Sequence, residues 1–196
     1  VWNARVARRE TQRAERRFND VRSLARTVIF DLHDEIRKVP GSVKARRVLI
    51  DTATKYLDTL NIEETNDDGL KMELAEAYMR IGYIQGGVAG VNLGDTAVSM
   101  KSYRTVLHIL EEQSRTRPDD PRVKTLTFSA VYNLSMMIND PAESIAFLRP
   151  QVSAAEAWRA RGRDGTVASQ MCWLLHMALG RMLRLSGSLD AALAEY

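Results

Sequence analysis

Small residues at fixed separations near one end of the chain restrict its fold more than any other feature. Leu179-Gly180 is followed by Leu183, then Gly187, then Ala192 and Tyr196. Around Gly180 the apolar residues Met171, Leu174, Leu175, Ala178, Leu179, Met182 and Leu183 recur every three or four positions, the period of one helix face. A glycine inside such a helix removes a side chain where a second helix can cross. Gly187 permits a turn that would strain other residues. Ala192 allows close approach on the returning helix, and Tyr196, one turn on, fills the space beyond. The pattern describes half of a repeating helical hairpin.

The pattern recurs more loosely upstream. Tyr78, Ile81 and Gly82 take the first-helix positions, Gly94-Asp95 the turn, Ser99 the small position and Tyr103 the aromatic one. A weaker copy has Leu134-Ser135 in place of Leu-Gly and Ala146 in place of the small alanine. These residues resemble the tetratricopeptide (TPR) signature. The resemblance implies an all-α fold, an α-solenoid of antiparallel helix pairs in a TPR-like right-handed superhelix. The spacing from Gly82 to Ser135 is 53 positions and from Ser135 to Gly180 is 45. A regular array repeats at about 34, so an irregular superhelix is expected.

Helix punctuation gives about four pairs. A long N-terminal helix is expected over Asn3–Val39, ended by Pro40-Gly41. At 1.5 Å per residue it would be roughly 55 Å long, its first half projecting from the body. Ser42 starts the next helix, with Ala45, Val48, Leu49, Thr52, Ala53, Tyr56, Leu57 and Leu60 facing inward. Asn66–Gly69, Gly86–Gly94, Arg117–Pro121, Asp140-Pro141 and Arg161–Gly165 are the further breaks. Pro150 should kink or split the sixth helix. The glycine-rich run from Gly86 lacks the preceding strand and the closing Lys-Ser/Thr of a phosphate-cradling loop, and reads as an enlarged turn.

Charge divides the chain unevenly. The net charge is +3, but residues 1–17 carry six arginines against Glu10 and Glu15, so the remainder is slightly acidic. Two regions follow: 1–17, a basic helical extension that could lie as a juxtamembrane segment beside anionic lipid, and 18–196, the TPR-like domain. The arginines lack interleaved aromatics, which argues against nucleic acid. The chain does not begin with Met and stops inside an expected helix, so it reads as a segment continuing beyond residue 196. One cysteine, Cys172, excludes an internal disulfide framework. No apolar run reaches the roughly 20 residues of a membrane span.

A second resemblance rests on Ala14–Ala25, Phe30–Asp34, Pro40–Ser42, Ala45–Leu49, Tyr56–Asp58 and Asn92–Ala97. Together these runs are similar to the helical tail of a group of bacterial serine/threonine protein kinases, over about residues 14–107. The resemblance implies a kinase domain and one membrane span upstream of Val1. The segment would then be the extracytoplasmic tail of a single-pass inner-membrane protein, with a cytoplasmic location as the alternative. No kinase motif occurs here, so the segment itself is expected to be no enzyme, with no catalytic residue and no cofactor.

His33, in Asp31-Leu-His-Asp-Glu35, lacks the three- or four-residue ligand spacing of a helical zinc site, so no metal is expected. His108 stands alone, and His176 reads as a core histidine. The first helix of each TPR pair lines a concave groove. Carrying those positions across gives Met79 and Tyr83, then Ser129, Tyr132 and Met136, then Met177, Arg181 and Arg184 as a partner-binding groove. Thioethers and phenols supply adaptable apolar contact, and guanidinium can hold a carboxylate bidentately. The implied function is protein or peptide binding, as sensor or scaffold; the alternative is a self-associating spacer that forms a homo-oligomer.

Overall fold

Aspartates and prolines set the helix boundaries. In the computed structural model, residues 32–59, 67–87, 92–162 and 165–196 are described, together with Ser23 and Thr27. They form α1 (His33–Arg37), α2 (Val43–Thr59), α3 (Asp68–Gly86), α4 (Thr96–Thr116), α5 (Pro121–Ser135), α6 (Pro141–Ala160), α7 (Gly165–Leu185) and α8 (Leu189–Glu195). Among the described residues there is no strand. The basic stretch 1–17 and most of the long helix expected from Asn3 lie outside the described residues.

Four caps explain four of the starts. Asp67 accepts hydrogen bonds from the Gly69 and Leu70 amides, and Asp95 from Val98. Asp120 accepts from Arg122 and Val123, and Asp140 from Ala142. Each carboxylate satisfies amides that the first helical turn leaves without carbonyl partners, next to the positive end of the helix dipole. Pro121 and Pro141 follow their caps as first helical residues, where a missing N–H costs nothing.

The fold divides into two compact units, Val1–Asn61 and Ile62–Tyr196. In the first, α1 packs on α2. The buried residues of α2 are Arg46, Ile50, Ala53 and Leu57. Ala45, Val48 and Thr52 are exposed, so the inward face is rotated from the expected one. The apolar residues of α2 are spread widely enough to allow either facing, and the aliphatic stem of Arg46 gives one face extra apolar surface.

In the second unit each helix packs on its sequence neighbour, from α3 on α4 through α7 on α8. The odd-numbered helices also touch, α3 with α5 and α5 with α7. One core fills α5–α8 around Phe128, Leu148, Trp158, Leu175 and Leu179. The Phe128 and Trp158 rings lie 5.9 Å apart at 39°. Cys172 is buried there, and burial pushes its thiol pKa up. Between α3 and α4 the core is Leu74, Tyr78, Ile81, Tyr103, Val106 and Leu110.

The small-residue positions make the closest helix contacts. A Cβ added at Gly82 would stand 2.8 Å from Tyr103 Cε1, and one at Gly180 would stand 2.9 Å from Tyr196 Cε1. Each glycine therefore admits the ring of the returning helix. Ser99 Oγ donates to the Gly82 carbonyl at 2.7 Å. In the middle pair Ser144 Oγ donates to the Ser135 carbonyl at 2.9 Å. Ser144 is fully buried and Leu148, four residues on, is too. Ala146 is exposed, so the small position of this pair is Ser144. Ser144 is the fourth residue of α6, as Ser99 is of α4 and Ala192 of α8.

Pro150 does not split α6, which runs unbroken from Pro141 to Ala160. Proline withdraws the donor for the Ala146 carbonyl. Both residues are exposed, so water can satisfy that carbonyl. The glycine-rich turn between α3 and α4 is tied back by hydrogen bonds from Leu93 N to the Ile84 carbonyl and Asp95 N to the Gln85 carbonyl.

Salt bridges also join helices: Lys71 with Glu112, Arg117 with Asp68, Arg122 with Glu76, and Arg161 with Asp119. Most of these side chains reach solvent, which screens the pairs, so each adds little to stability.

Candidate functional site

α7 presents a stripe that the core does not use. Its buried residues include Ala168, Cys172, Leu175, Leu179 and Met182. A helix turns 3.6 residues per turn, so Trp173, Met177, Arg181 and Arg184 share another face. All four are exposed, Trp173 at 62%. This face meets Tyr132 and Met136, one turn apart on α5, and Tyr196 beyond α8. Together with Leu174 and Ala178 they line an open cleft of 320 Å³.

The cleft brings together Tyr132, Met136, Met177, Arg181 and Arg184. Met79 and Tyr83 are on α3 and are not part of its lining. Met79 is half-buried, and Tyr83 is exposed with its backbone and ring against Gly87. Ser129 is half-buried, its hydroxyl 3.9 Å from the Met171 sulfur. It is held inside the helix contact, one turn short of the cleft.

The chemistry of the cleft is apolar at one end and cationic at the other. Its titratable lining side chains are two tyrosines and two arginines, with no Asp or Glu among them. The nearby carboxylates are engaged by His176. Its Nδ1 lies 2.6 Å from Glu195 and its Nε2 lies 3.3 Å from Glu156. The imidazole thus ties α6 and α8 to α7. It is a quarter exposed, which corrects its reading as a core histidine. The two carboxylates approach opposite ring nitrogens and do not converge on one point. Among the described residues no group of three or more His, Cys, Asp or Glu is placed to hold a metal ion. His33 is the first residue of α1.

No family model and no curated protein matches this sequence.

Trp173, Leu174, Ala178 and Tyr196 line the cleft although the sequence pattern did not mark them as groove residues. Trp173 sits in the apolar run Met171–Leu175 and passes for core. Its signal was register: it stands four before Met177 and eight before Arg181, on the groove face. Tyr196 covers Gly180, as its position predicts, yet it remains 57% exposed and forms one wall of the cleft. A residue can do both because only one face of its ring meets the glycine.

Proposed function

We propose that this segment is a non-catalytic helical-repeat module that binds a protein or peptide segment in the cleft between α5 and α7. The observation that carries this reading is the grouping of exposed Trp173, Met177, Arg181 and Arg184 on α7 beside half-buried Tyr132 and Met136 at the end of α5. Aromatic, methionine and arginine side chains are the types enriched where proteins dock. The resemblance of residues 14–107 to bacterial kinase tails supports a role as sensor or scaffold in a membrane-anchored serine/threonine kinase. Ligand-driven pairing of tails would raise the effective concentration of the attached kinase domains. No helix of the described residues is long and apolar enough to cross a membrane, so the anchor would be another part of that protein.

The test is peptide scanning on the 196-residue chain with a double variant, Tyr132→Ala with Arg181→Glu. Both side chains reach the cleft, so the reading expects loss of peptide binding with an unchanged circular dichroism spectrum. Binding that survives the double variant places the site elsewhere.

A second reading has its own support. Leu185, Leu189, Leu193 and Tyr196 are exposed at 53%, 60%, 72% and 57%, three or four residues apart along the α7–α8 end. Such a strip suits a self-associating spacer. Sedimentation of wild type against Leu189→Glu with Leu193→Glu decides this: a concentration-dependent dimer abolished by the exchange supports it, and a monomer throughout rejects it.

A further inference from the structure

Along the exposed face of α7 the side chains change character in order. Trp173 and Met177 are followed by Arg181 and Arg184, a span of about 16 Å at 1.5 Å per residue. Tyr132 and Met136 of α5 flank this face. Arg117, Arg122 and Arg161 each pair with a carboxylate distant in sequence. Arg181 and Arg184 pair with none among the described residues. Glu195 and Glu156 both face His176. The fold thus sets two guanidinium groups with no Asp or Glu partner beside aromatic side chains.

Resting on the peptide-binding reading above, we infer that the cleft takes an acidic peptide segment with an apolar anchor, and takes it in one direction. The anchor lies against Trp173, Met177 and Tyr132. The carboxylates lie toward the C-terminal end of α7, where each arginine fork can accept one bidentately. Like charges cost binding energy at such a site, so a basic segment is rejected. The order of apolar and acidic residues in the ligand matters as much as their number, because the cleft has one apolar end and one cationic end.

The experiment uses an array of immobilised short peptides, graded in net charge and apolar content, with each composition in forward and reversed order. Each is probed with the labelled 196-residue chain. The inference expects the bound set to be acidic, to contain leucine, phenylalanine or tryptophan, and to favour one order over its reverse by about tenfold. It expects Arg181→Glu with Arg184→Glu to switch the bound set to basic peptides, which loss of folding could not produce. Trp173→Ala is expected to weaken all binding by about tenfold without changing charge preference.

Peptides bound without acidic enrichment, yet lost on Trp173→Ala, overturn the acidic inference and leave the groove reading standing. A chain that binds no peptide of the array overturns both. If the chain instead binds vesicles containing anionic lipid, and Arg181→Glu abolishes this while no peptide binds, the arginines face a lipid surface and the peptide inference is wrong.

Discussion

Gly82 and Gly180 occupy equivalent positions in their hairpins, yet replacing each with alanine should have opposite consequences. A Cβ at Gly82 would lie 2.8, 2.9 and 3.1 Å from three ring atoms of Tyr103. Carbon atoms rest at about 3.5 to 4.0 Å, so the ring must retreat by more than half an ångström. Tyr103 is fully buried, and the Ser99 hydrogen bond to the Gly82 carbonyl fixes the helix separation at the same place. Overpacking a tight core costs about 1 to 3 kcal/mol, and stretching that hydrogen bond adds up to about 1 kcal/mol. Alanine recovers about 1 kcal/mol of helix propensity over glycine. Gly82→Ala should therefore destabilise by up to about 3 kcal/mol. At Gly180 the contact is equally short, 2.9 Å, but its partner Tyr196 is more than half exposed. That ring can swing toward solvent, and the propensity gain should leave Gly180→Ala within about 1 kcal/mol of wild type on the stable side. Both glycines lie in the unit Ile62–Tyr196, so the two variants can be compared by urea denaturation under circular dichroism. The midpoint should fall for Gly82→Ala and hold or rise for Gly180→Ala, with unchanged slope. Adding Tyr103→Leu to Gly82→Ala should make the alanine tolerated, a coupling visible in a double-mutant cycle. Equal midpoints for the two alanine variants would refute the argument from ring confinement.

Burial pushes the Tyr103 phenol up to about 12. The folded state then holds a proton that the unfolded chain releases near pH 10, so stability falls as pH rises from 10 to 12, by about 2 to 3 kcal/mol. Phenolate absorbance should show a late-titrating tyrosine that Tyr103→Phe removes, and the same variant should flatten the alkaline loss of stability. Ser144→Leu should destabilise by more than about 2 kcal/mol through overpacking and a lost hydrogen bond, whereas Ala146→Leu should stay within about 0.5 kcal/mol; thermal denaturation of the two variants checks which residue holds the small position. Pro150→Ala restores a donor for the Ala146 carbonyl inside a continuous helix and should raise stability by about 1 to 3 kcal/mol in the same assay. Lys71→Ala removes the hydrogen bond and charge that hold the Glu112 carboxyl below its usual range. An acid depressed in the folded state stabilises above its unfolded pKa and loses this as pH falls through the folded one, so acid unfolding of Lys71→Ala should lose the step that Glu112 contributes.

Helix ends were legible because each rests on local chemistry. An aspartate before a proline or a glycine fixes a start whatever the rest of the chain does, as Asp120-Pro121 and Asp140-Pro141 show. The faces of α3 and α7 were legible because their apolar residues form one stripe. The face of α2 was only partly so: Ala53 and Leu57 are buried as expected, but Arg46 and Ile50 take the interior in place of Ala45 and Val48, and only tertiary packing decides between them. The middle pair failed for a different reason. Counting from Ser135 assumes that it stands about one turn before its helix ends, as Gly82 and Gly180 do, whereas α5 ends at Ser135 itself. Serine at 144 carries no small-hydrophobic signal, yet its hydroxyl reaches a carbonyl across the helix contact and makes close approach favourable where alanine would only permit it.

The same distinction separates the cleft residues that sequence could supply from those it could not. Tyr132, Met136, Met177, Arg181 and Arg184 follow from register alone, since first-helix positions three or four apart must share a face. Register says nothing about whether that face is covered. Met79 and Ser129 occupy comparable positions, yet Met79 is half-buried and Ser129 is held against Met171. What keeps the α7 face open is the placement of its neighbours. His176 engages Glu156 and Glu195, and Arg181 and Arg184 pair with no Asp or Glu among the described residues. Tyr196, standing on Gly180, walls the cleft without filling it. The glycine that lets α8 close on α7 thus also sets one edge of the cleft. Enlarging that glycine should displace Tyr196 and alter the groove while barely changing stability. Gly180→Ala should therefore shift peptide binding where Gly82→Ala, at equal folded fraction, does not. Peptide titrations of the two variants giving identical affinities would separate the cleft from the hairpin geometry argued here.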